Sequence, residues 1–551
     1  MNEPELKEPI ETADADVAEQ APSERKEKES WPKRTSRRWW FASTVLPMIA
    51  GTFGPIANLF SICALVQSWR LYVPPGKTLA EGTHITDPPW LLALNALSLA
   101  SAIIANIFLL FNFARRIRYD IAQPITIALW YLSAVLLLVP ICLTPILIIE
   151  PRETHAFSQS YYYGLISAVT YILISTLLLF NALGAYVFHA YPPSFASLTV
   201  AQRTMMLQTI AYSCYLALGA GVFSTVENWS FVDGFYWSNY TLLTVGLGSD
   251  YALKTTVGRG LLIPYAVGGI MMIGLVVSSV RQLVLERAGL RMQRARMERA
   301  RKSMGAEESS LDPRQAYDRM RETERKMDAA RRVVALSMST FAFIFLWVLG
   351  ALVFWYSEAP QGWTYFESLF FTYTSLLTIG YGDFYAQSSS GKPFFVIWSL
   401  MAVPTMTILI SHLGDTAVVW LKSGTIWVGR RTILPGKDEA EDGEMMDALD
   451  DILEKEHLAL RVLLAIRELA RHADSHNHPK KYSWEEWNQF IKLCGDYAPE
   501  NLWTHEDGPI FSDRTETGWL LERLSYRLED LMKDLLPEVE ENSLSASRSS
   551  S

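Results

Sequence analysis

Residues 229–251 read WSFVDGFYWSNYTLLTVGLGSDY, and residues 363–385 read WTYFESLFFTYTSLLTIGYGDFY. The two stretches align without a gap at an offset of 134. Trp229 answers to Trp363, Asp233 to Glu367, Leu242-Leu243-Thr244 to Leu376-Leu377-Thr378, and Gly246 and Gly248 to Gly380 and Gly382. A self-similar segment of this kind is one structural unit used twice. Each copy has an aromatic half, Phe231 to Tyr240 and Tyr365 to Tyr373, suited to a short helix. Each then closes on Thr-Val/Ile-Gly-Leu/Tyr-Gly, a turn-forming string at 244–248 and 378–382.

Working outward, both copies lie between long apolar segments. Eight such segments fall at about 41–68, 90–113, 123–149, 161–189, 204–226, 260–280, 333–356 and 393–421. Each is near or above the ~20 residues that cross ~30 Å of hydrocarbon as a helix. Phe41 to Ser68 holds no charged residue. The segments are apolar all round, whereas soluble helices alternate faces. Backbone groups in lipid must bond internally, so helices are expected. The fold class is therefore an all-α integral membrane protein. Its parts are four helices, then two tandem helix–loop–helix units with re-entrant loops, then a helical cytoplasmic C-terminal region.

Lys and Arg in the connections set the orientation. Arg115, Arg116, Arg118, Arg203 and the fifteen basic residues of 281–332 fall on one side. Six, namely Arg70, Lys77, Arg152, Lys254, Arg259 and Lys392, fall on the other. The richer side is cytoplasmic, so both termini are expected inside and both repeat loops outside. The basic residues also suit contact with anionic membrane lipids. Residues 1–39 read as a mostly disordered cytoplasmic tail without a cleaved signal peptide. Residues 40–190 read as the four-helix region, 204–281 as the first tandem unit and 333–421 as the second. Residues 282–332 read as two charged helices broken near Gly305–Pro313.

Composition excludes other classes. Of 551 residues 50% are hydrophobic and 12% aromatic, which rules out disorder along the whole chain. The net charge is −9, and the pI near 5.6 disfavours a nucleic-acid partner. Residues 422–551 hold 16 basic and 27 acidic residues, so the acidity belongs to one end. Four cysteines indicate no disulfide framework. There is no phosphate-binding glycine loop, nucleophile elbow or metal-protease helix, so no enzyme is expected. His472, His476 and His478 beside Asp474 lack zinc-site spacing. Asn228-Trp229-Ser230 is a candidate glycosylation sequon; Asn239-Tyr240-Thr241 is another, expected to be inaccessible within the short helix.

The glycine strings point to potassium. A K+ ion must shed its water, and rings of backbone carbonyls can replace that shell. Successive carbonyls aim one way only if some residues take dihedrals that glycine alone adopts freely. Val245 and Ile379 are stiff and can pack behind the strand. Candidate ion-lining residues are Thr244, Val245, Gly246, Leu247, Gly248, Thr378, Ile379, Gly380, Tyr381 and Gly382, with Asp250 and Asp383 at the outer mouth.

Both loops resemble the pore loops of K+ channels, TVGYG or TIGYG followed by Asp. Four spans ahead of two pore units resemble the fungal outward-rectifier two-pore-domain potassium channels, the TOK family, over roughly 41–421. The resemblance implies a plasma-membrane K+ channel that passes current mainly outward, with K+ as permeant ion and no cofactor. One chain supplies two of four filter strands, so a homodimer is implied. The first loop departs from the pattern: its acid is displaced to Asp250 after Ser249, and Leu247 lacks the tyrosine hydroxyl. The first loop is therefore expected to be held more by packing, and the outer mouth to be two-fold symmetric. Candidate inner-pore residues are Gly268, Gly269, Gly274, Pro404 and Asp415; the glycines read first as close-packing sites and second as hinges. The first four spans carry no interior arginine series, which argues against a four-helix voltage sensor. Leu453, His457, Leu458, Val462, Leu463, Ile466 and Leu469 recur at helical spacing, and helices are expected at 483–494 and 516–535. They suit a bundle beneath the pore or a site for cytoplasmic regulators. A K+ transporter and a non-conducting membrane scaffold remain the alternatives.

Overall fold

A computed structural model describes residues 39, 41–74, 82–147, 154–192, 195, 200–247, 251–305, 312–432, 455–473, 481–497 and 515–548. The described chain is almost wholly helical, and eight helices are long and apolar enough to cross a membrane. It divides into two compact units, Met1–Val284 with Ser339–Ile410, and Leu285–Met338 with Ser411–Ser551.

In the first unit a π-helical turn, Phe41–Val45, leads into α1, Leu46–Val66. Then come α2, Pro89–Phe113; α3, Tyr119–Leu147; and α4, Gln159–Tyr186. Along α1 the buried residues Ala50, Gly54, Ala57, Ser61 and Ala64 recur at helical spacing. Small side chains let the neighbouring backbone approach. The α4 residues facing them donate hydroxyls to α1 carbonyls: Ser160 to Cys63 at 2.9 Å and Ser167 to Ala57 at 3.0 Å. The same device joins α2 to α3, with Ser98 donating to the Ser133 carbonyl at 2.7 Å, and α4 to α3, with Ser175 donating to Ile127 at 3.0 Å. In an apolar medium such side-chain bonds supply what the hydrophobic effect cannot. Ile103, Ile104 and Ile107 on α2 and Val135 and Val139 on α3 face outward, as spans apolar all round require.

The all-α expectation needs one addition. Strands β1, Arg70–Tyr72; β2, Thr83–Ile85; and β3, His155–Phe157 form an antiparallel sheet in the order β2-β1-β3. Each strand has three residues, too few for alternation to register in the sequence. Trp69 beside the sheet is fully buried and donates to the Ala64 carbonyl at 2.7 Å, tying the sheet to the end of α1.

The tandem units follow. Helices α5, Val200–Glu227; α6, Phe231–Leu242; and α7, Thr256–Gly305 make the first. Helices α8, Pro313–Ser357; α9, Tyr365–Leu376; and α10, Gly391–Thr432 make the second. The expected break near Gly305–Pro313 falls largely on residues outside the described ones, and the charged stretches on either side are not a separate pair of helices. Their residues continue the apolar segments as single helices of 50 and 45 residues. A change from apolar to charged side chains alters which solvent a helix prefers without breaking its backbone bonds.

In the second unit, α11, Lys455–Ala473; α12, Trp484–Cys494; and α13, Glu516–Arg548 pack with the start of α8. Val462, Leu469, Trp487, Phe490, Trp519 and Leu520 share one core with Tyr317 and Met320. Arg321 is its polar centre. Its guanidinium pairs with Glu516, reaches Glu324 at 3.1 Å, and donates to the Tyr482 carbonyl at 2.8 Å and the Tyr317 hydroxyl at 3.0 Å. The Arg321 and Glu516 side chains are only 11% and 14% exposed. Removing one partner of a buried pair strands the other, at about 3–5 kcal/mol. Arg321→Ala is therefore expected to lower the unfolding midpoint of this unit by several degrees in a urea or thermal melt, and Arg321→Lys to lower it less. A melt unchanged by Arg321→Ala would show that the hub is not structural.

Candidate ion-conduction site

The repeat in sequence is a repeat in backbone. At the start of α6, Ser230 Oγ accepts from Asp233 N at 3.1 Å; at the start of α9, Thr364 Oγ1 accepts from Glu367 N at 3.3 Å, and Glu367 accepts from Thr364 N at 2.7 Å. These caps satisfy amide groups that a helix start leaves unpaired. Their signature, Ser/Thr followed three residues on by Asp/Glu, stands in both copies.

At the other end, Val245 N donates to the Tyr240 carbonyl at 2.9 Å and Gly246 N to the same carbonyl at 3.2 Å. In the second copy Ile379 N donates to Thr374 at 2.8 Å and Gly380 N to Thr374 at 3.4 Å. The four partners match at the sequence offset of 134. Backbone signs match as well. Thr244 and Thr378 have φ of 58° and 54°, and Gly246 and Gly380 have 64° and 52°. Positive φ is uncommon for a β-branched residue and costs energy that the surroundings must offset. Two threonines in the same strained geometry at matched positions mark a shape held for a purpose.

The structure brings the two loops together. A side chain at Gly380 would collide with the Val245 carbonyl oxygen and crowd Gly246. The backbone of the second loop at Gly380 thus runs close against that of the first at Val245 and Gly246. Gly248 and Asp250 lie outside the described residues. Asp383 is exposed and accepts from Phe384 N at 3.0 Å. The two loops differ in what covers them. Val245 and Leu247 are buried, Leu247 being 3% exposed, whereas Ile379 and Tyr381 are uncovered, Tyr381 being 70% exposed.

Behind the loops, Gly269 packs on Leu242, the last residue of α6, and Gly268 on the Tyr215 ring. Both glycines act here as close-packing sites within an unbroken α7. Gly274 has open space beside it. Pro404 lies inside α10 without ending it, and Asp415 lies further along the same helix. Asn228 is exposed, with φ of 59°, while Asn239 is buried and donates to Ser399 Oγ at 2.7 Å.

Two carboxylates that sequence reasoning passed over hold the helices that follow the loops. Glu227 at the end of α5 accepts from Lys254 N at 2.9 Å and Thr255 Oγ1 at 2.6 Å, just before α7. Glu358 at the end of α8 accepts from Ser388 Oγ at 2.7 Å, Ser388 N at 3.2 Å and Gln387 N at 3.3 Å, just before α10. A lone acid closing an apolar run was the available signal. Burial pushes the Glu358 carboxyl above the ordinary carboxylate range, against the pull of its Ser388 and Gln387 donors and of Lys392. A raised value means the folded form holds the proton more tightly. Its contribution therefore favours folding at acid pH and is lost as pH rises through the raised value. Glu358→Gln is expected to remove that slope from a plot of melting temperature against pH. Glu358→Ala strands several donors, at about 1–3 kcal/mol for each buried group left unpaired, and is expected to melt well below Glu358→Gln. Equal melting of the two variants would contradict the donor network.

Among the described residues no cluster of His, Cys, Asp and Glu could hold a metal ion, and the four cysteines are free thiols. His476 and His478 lie outside the described residues.

Comparison with known proteins agrees with this geometry. A family model described as an ion channel matches residues 208–286 and again 341–419, one match to each tandem unit. The chain is 24% identical over 226 residues to "Potassium channel subfamily K member 10" of Mus musculus, covering 40% of this chain and 35% of that protein. The Homo sapiens protein of the same name matches to the same extent. "Potassium channel subfamily K member 16" of Homo sapiens is 35% identical over 84 residues, covering 15% of this chain and 27% of its own length. The chain thus spans about a third of the length of the first curated relatives it matches. Each tandem unit thus resembles an ion-channel module, set within a body of helices apolar enough to cross a membrane.

Proposed function

We propose that this protein is a potassium-selective channel of the two-pore-domain kind, in which the loops at 244–248 and 378–382 line one filter. The observation that carries this is the doubled loop: the same carbonyl accepts the same two amides in each copy, with the same signs of φ. Glycine and strained threonine backbones let carbonyls line a path and replace an ion's water. The ion-channel matches on both units and the potassium-channel names of the relatives support the reading.

The complete filter is that of a homodimer. A ring of four strands needs two chains, and the uncovered Ile379 and Tyr381 suit a surface that a second copy would complete. In α7 only 11% of the apolar window is buried, against 50% in α10, so α7 offers a large face to such a partner. Gating is outward-rectifying in the plasma membrane with both termini cytoplasmic, as the resemblance to the TOK family implies. Ion movement into the filter, rather than an arginine-bearing helix, is then the voltage-dependent step. The helical bundle of α11–α13 is a site for cytoplasmic regulators, and lipids cover the apolar faces. A transporter or an inert scaffold would keep the helices without the selective leak. Purified protein in liposomes separates these readings: a K+ gradient should drive dye-reported K+ flux, and a Na+ gradient should not. Equal Na+ and K+ flux, or none from well-folded protein, would reject the channel.

A further inference from the structure

A partly buried polar cluster beside α6 joins four separate elements. Asp233 of α6 accepts from the Tyr251 hydroxyl at 2.6 Å, from Gln159 Nε2 at 3.0 Å and from Ser230 Oγ at 2.6 Å. Lys392, near the start of α10, donates to the same Tyr251 hydroxyl at 2.7 Å and stands 3.7 Å from Asp233 Oδ1. Its side chain is 9% exposed, and its ammonium lies 4.9 Å from the Tyr251 ring centroid and 5.8 Å from that of Tyr236. A buried ammonium needs this kind of company, since an unpaired one is costly.

The placement matters because of where the first loop runs. The chain leaves the far end of α6, where Val245 N and Gly246 N hold the Tyr240 carbonyl. It is caught again at Tyr251, which bonds Asp233 at the near end of the same helix. Tyr240 and Asp233 are about 10 Å apart along a helix rising 1.5 Å per residue. The first loop is thus strapped at both ends to one rigid rod. The second copy uses its acid differently: Glu367 takes Thr364 N at 2.7 Å and Thr364 Oγ1 at 2.9 Å to cap its own helix. The first loop carries Leu247 where the second carries Tyr381, so it lacks the tyrosine hydroxyl within the string.

We infer that Asp233 is the positioning residue of the first loop, with Tyr251 as its strap and Lys392 and Gln159 as the groups that orient it. Through Gln159 the four-helix region bears on the filter, and through Lys392 the second tandem unit does. None of the four touches the ion; they fix the spacing of the carbonyls that do. This rests on the channel reading above.

The test is the bi-ionic reversal potential, K+ on one side and Na+ on the other, for full-length protein. Its value does not depend on how many channels reach the membrane, so a merely structural defect leaves it unmoved. Tyr251→Phe removes one hydroxyl and Lys392→Met one charge. Each is expected to raise relative Na+ permeability about tenfold, a shift of about 59 mV. The double variant should be no worse than the more severe single, because both break one bonded unit. Lys392→Arg should restore most of the selectivity. If Lys392→Met yields no protein at the surface, Tyr251→Phe decides alone. Unshifted reversal in Tyr251→Phe, with the wild type K+-selective, overturns this inference and leaves the channel reading standing. Absence of K+-selective current in the wild type overturns the channel reading itself.

Discussion

Gly380→Ala is expected to abolish K+ current while leaving the protein at the membrane in near-normal amount. Two effects converge at this position. An L-residue at φ of 52° pays about 1–2 kcal/mol. The added methyl also collides with the Val245 carbonyl oxygen, a backbone atom that cannot swing aside as a side chain can. Overpacking of that kind costs about 1–3 kcal/mol. Together they remove about 3 kcal/mol from the conducting geometry, or about 100-fold in its population. The fold should survive, because the loop is small beside the helical core that carries it. Whole-cell recording alongside surface labelling checks both halves. Full current from the variant would mean that the close approach of the two loops is not the conduction path.

The same variant reports on stoichiometry. When wild-type and Gly380→Ala chains are expressed in equal amounts, random pairing leaves about one quarter of dimers with two intact chains. Current should therefore fall to about one quarter of that expected from the same wild-type assembly alone. A pore made by one chain would leave about half, and a four-chain pore about one sixteenth. The proposed dimer rests on arithmetic on strands, two from each chain for a ring of four. It would also account for the exposure of Tyr381 and Ile379 and for the low burial of the apolar part of α7 within residues 256–280. Either of the other two ratios would refute it.

Much of this was readable before any coordinates. Eight apolar stretches of span length became eight apolar helices, because lipid leaves the backbone little choice. The doubled loop was plain as a repeated string at Thr244–Gly248 and Thr378–Gly382, and the positive φ of Gly246, Gly380 and Gly382 is one that glycine adopts freely. The first loop was expected to be held more by packing than by hydrogen bonds; Leu247 is buried, and Tyr251 adds a hydrogen bond that the expectation did not contain. Helix limits were less readable where charge changes inside one helix, as across residues 281–332. The strands at Arg70, Thr83 and His155 were too short to show a period. The cluster at Asp233 was invisible for a different reason. Gln159, Asp233, Tyr251 and Lys392 are unremarkable residues spread over 234 positions, and only folding brings them within hydrogen-bond reach. In the second unit the amphipathic spacing of 453–469 announced a bundle, but nothing in it named Tyr317 and Met320 as part of the core.

The central claim is that the paired loops select potassium. The most direct measurement is the zero-current potential of the purified protein in a planar bilayer as K+ on one side is raised and Na+ lowered in compensation. A K+-selective pore predicts a shift of about 59 mV for each tenfold change in K+. A potential that stays near zero throughout, as an unselective pore would give, would contradict the account.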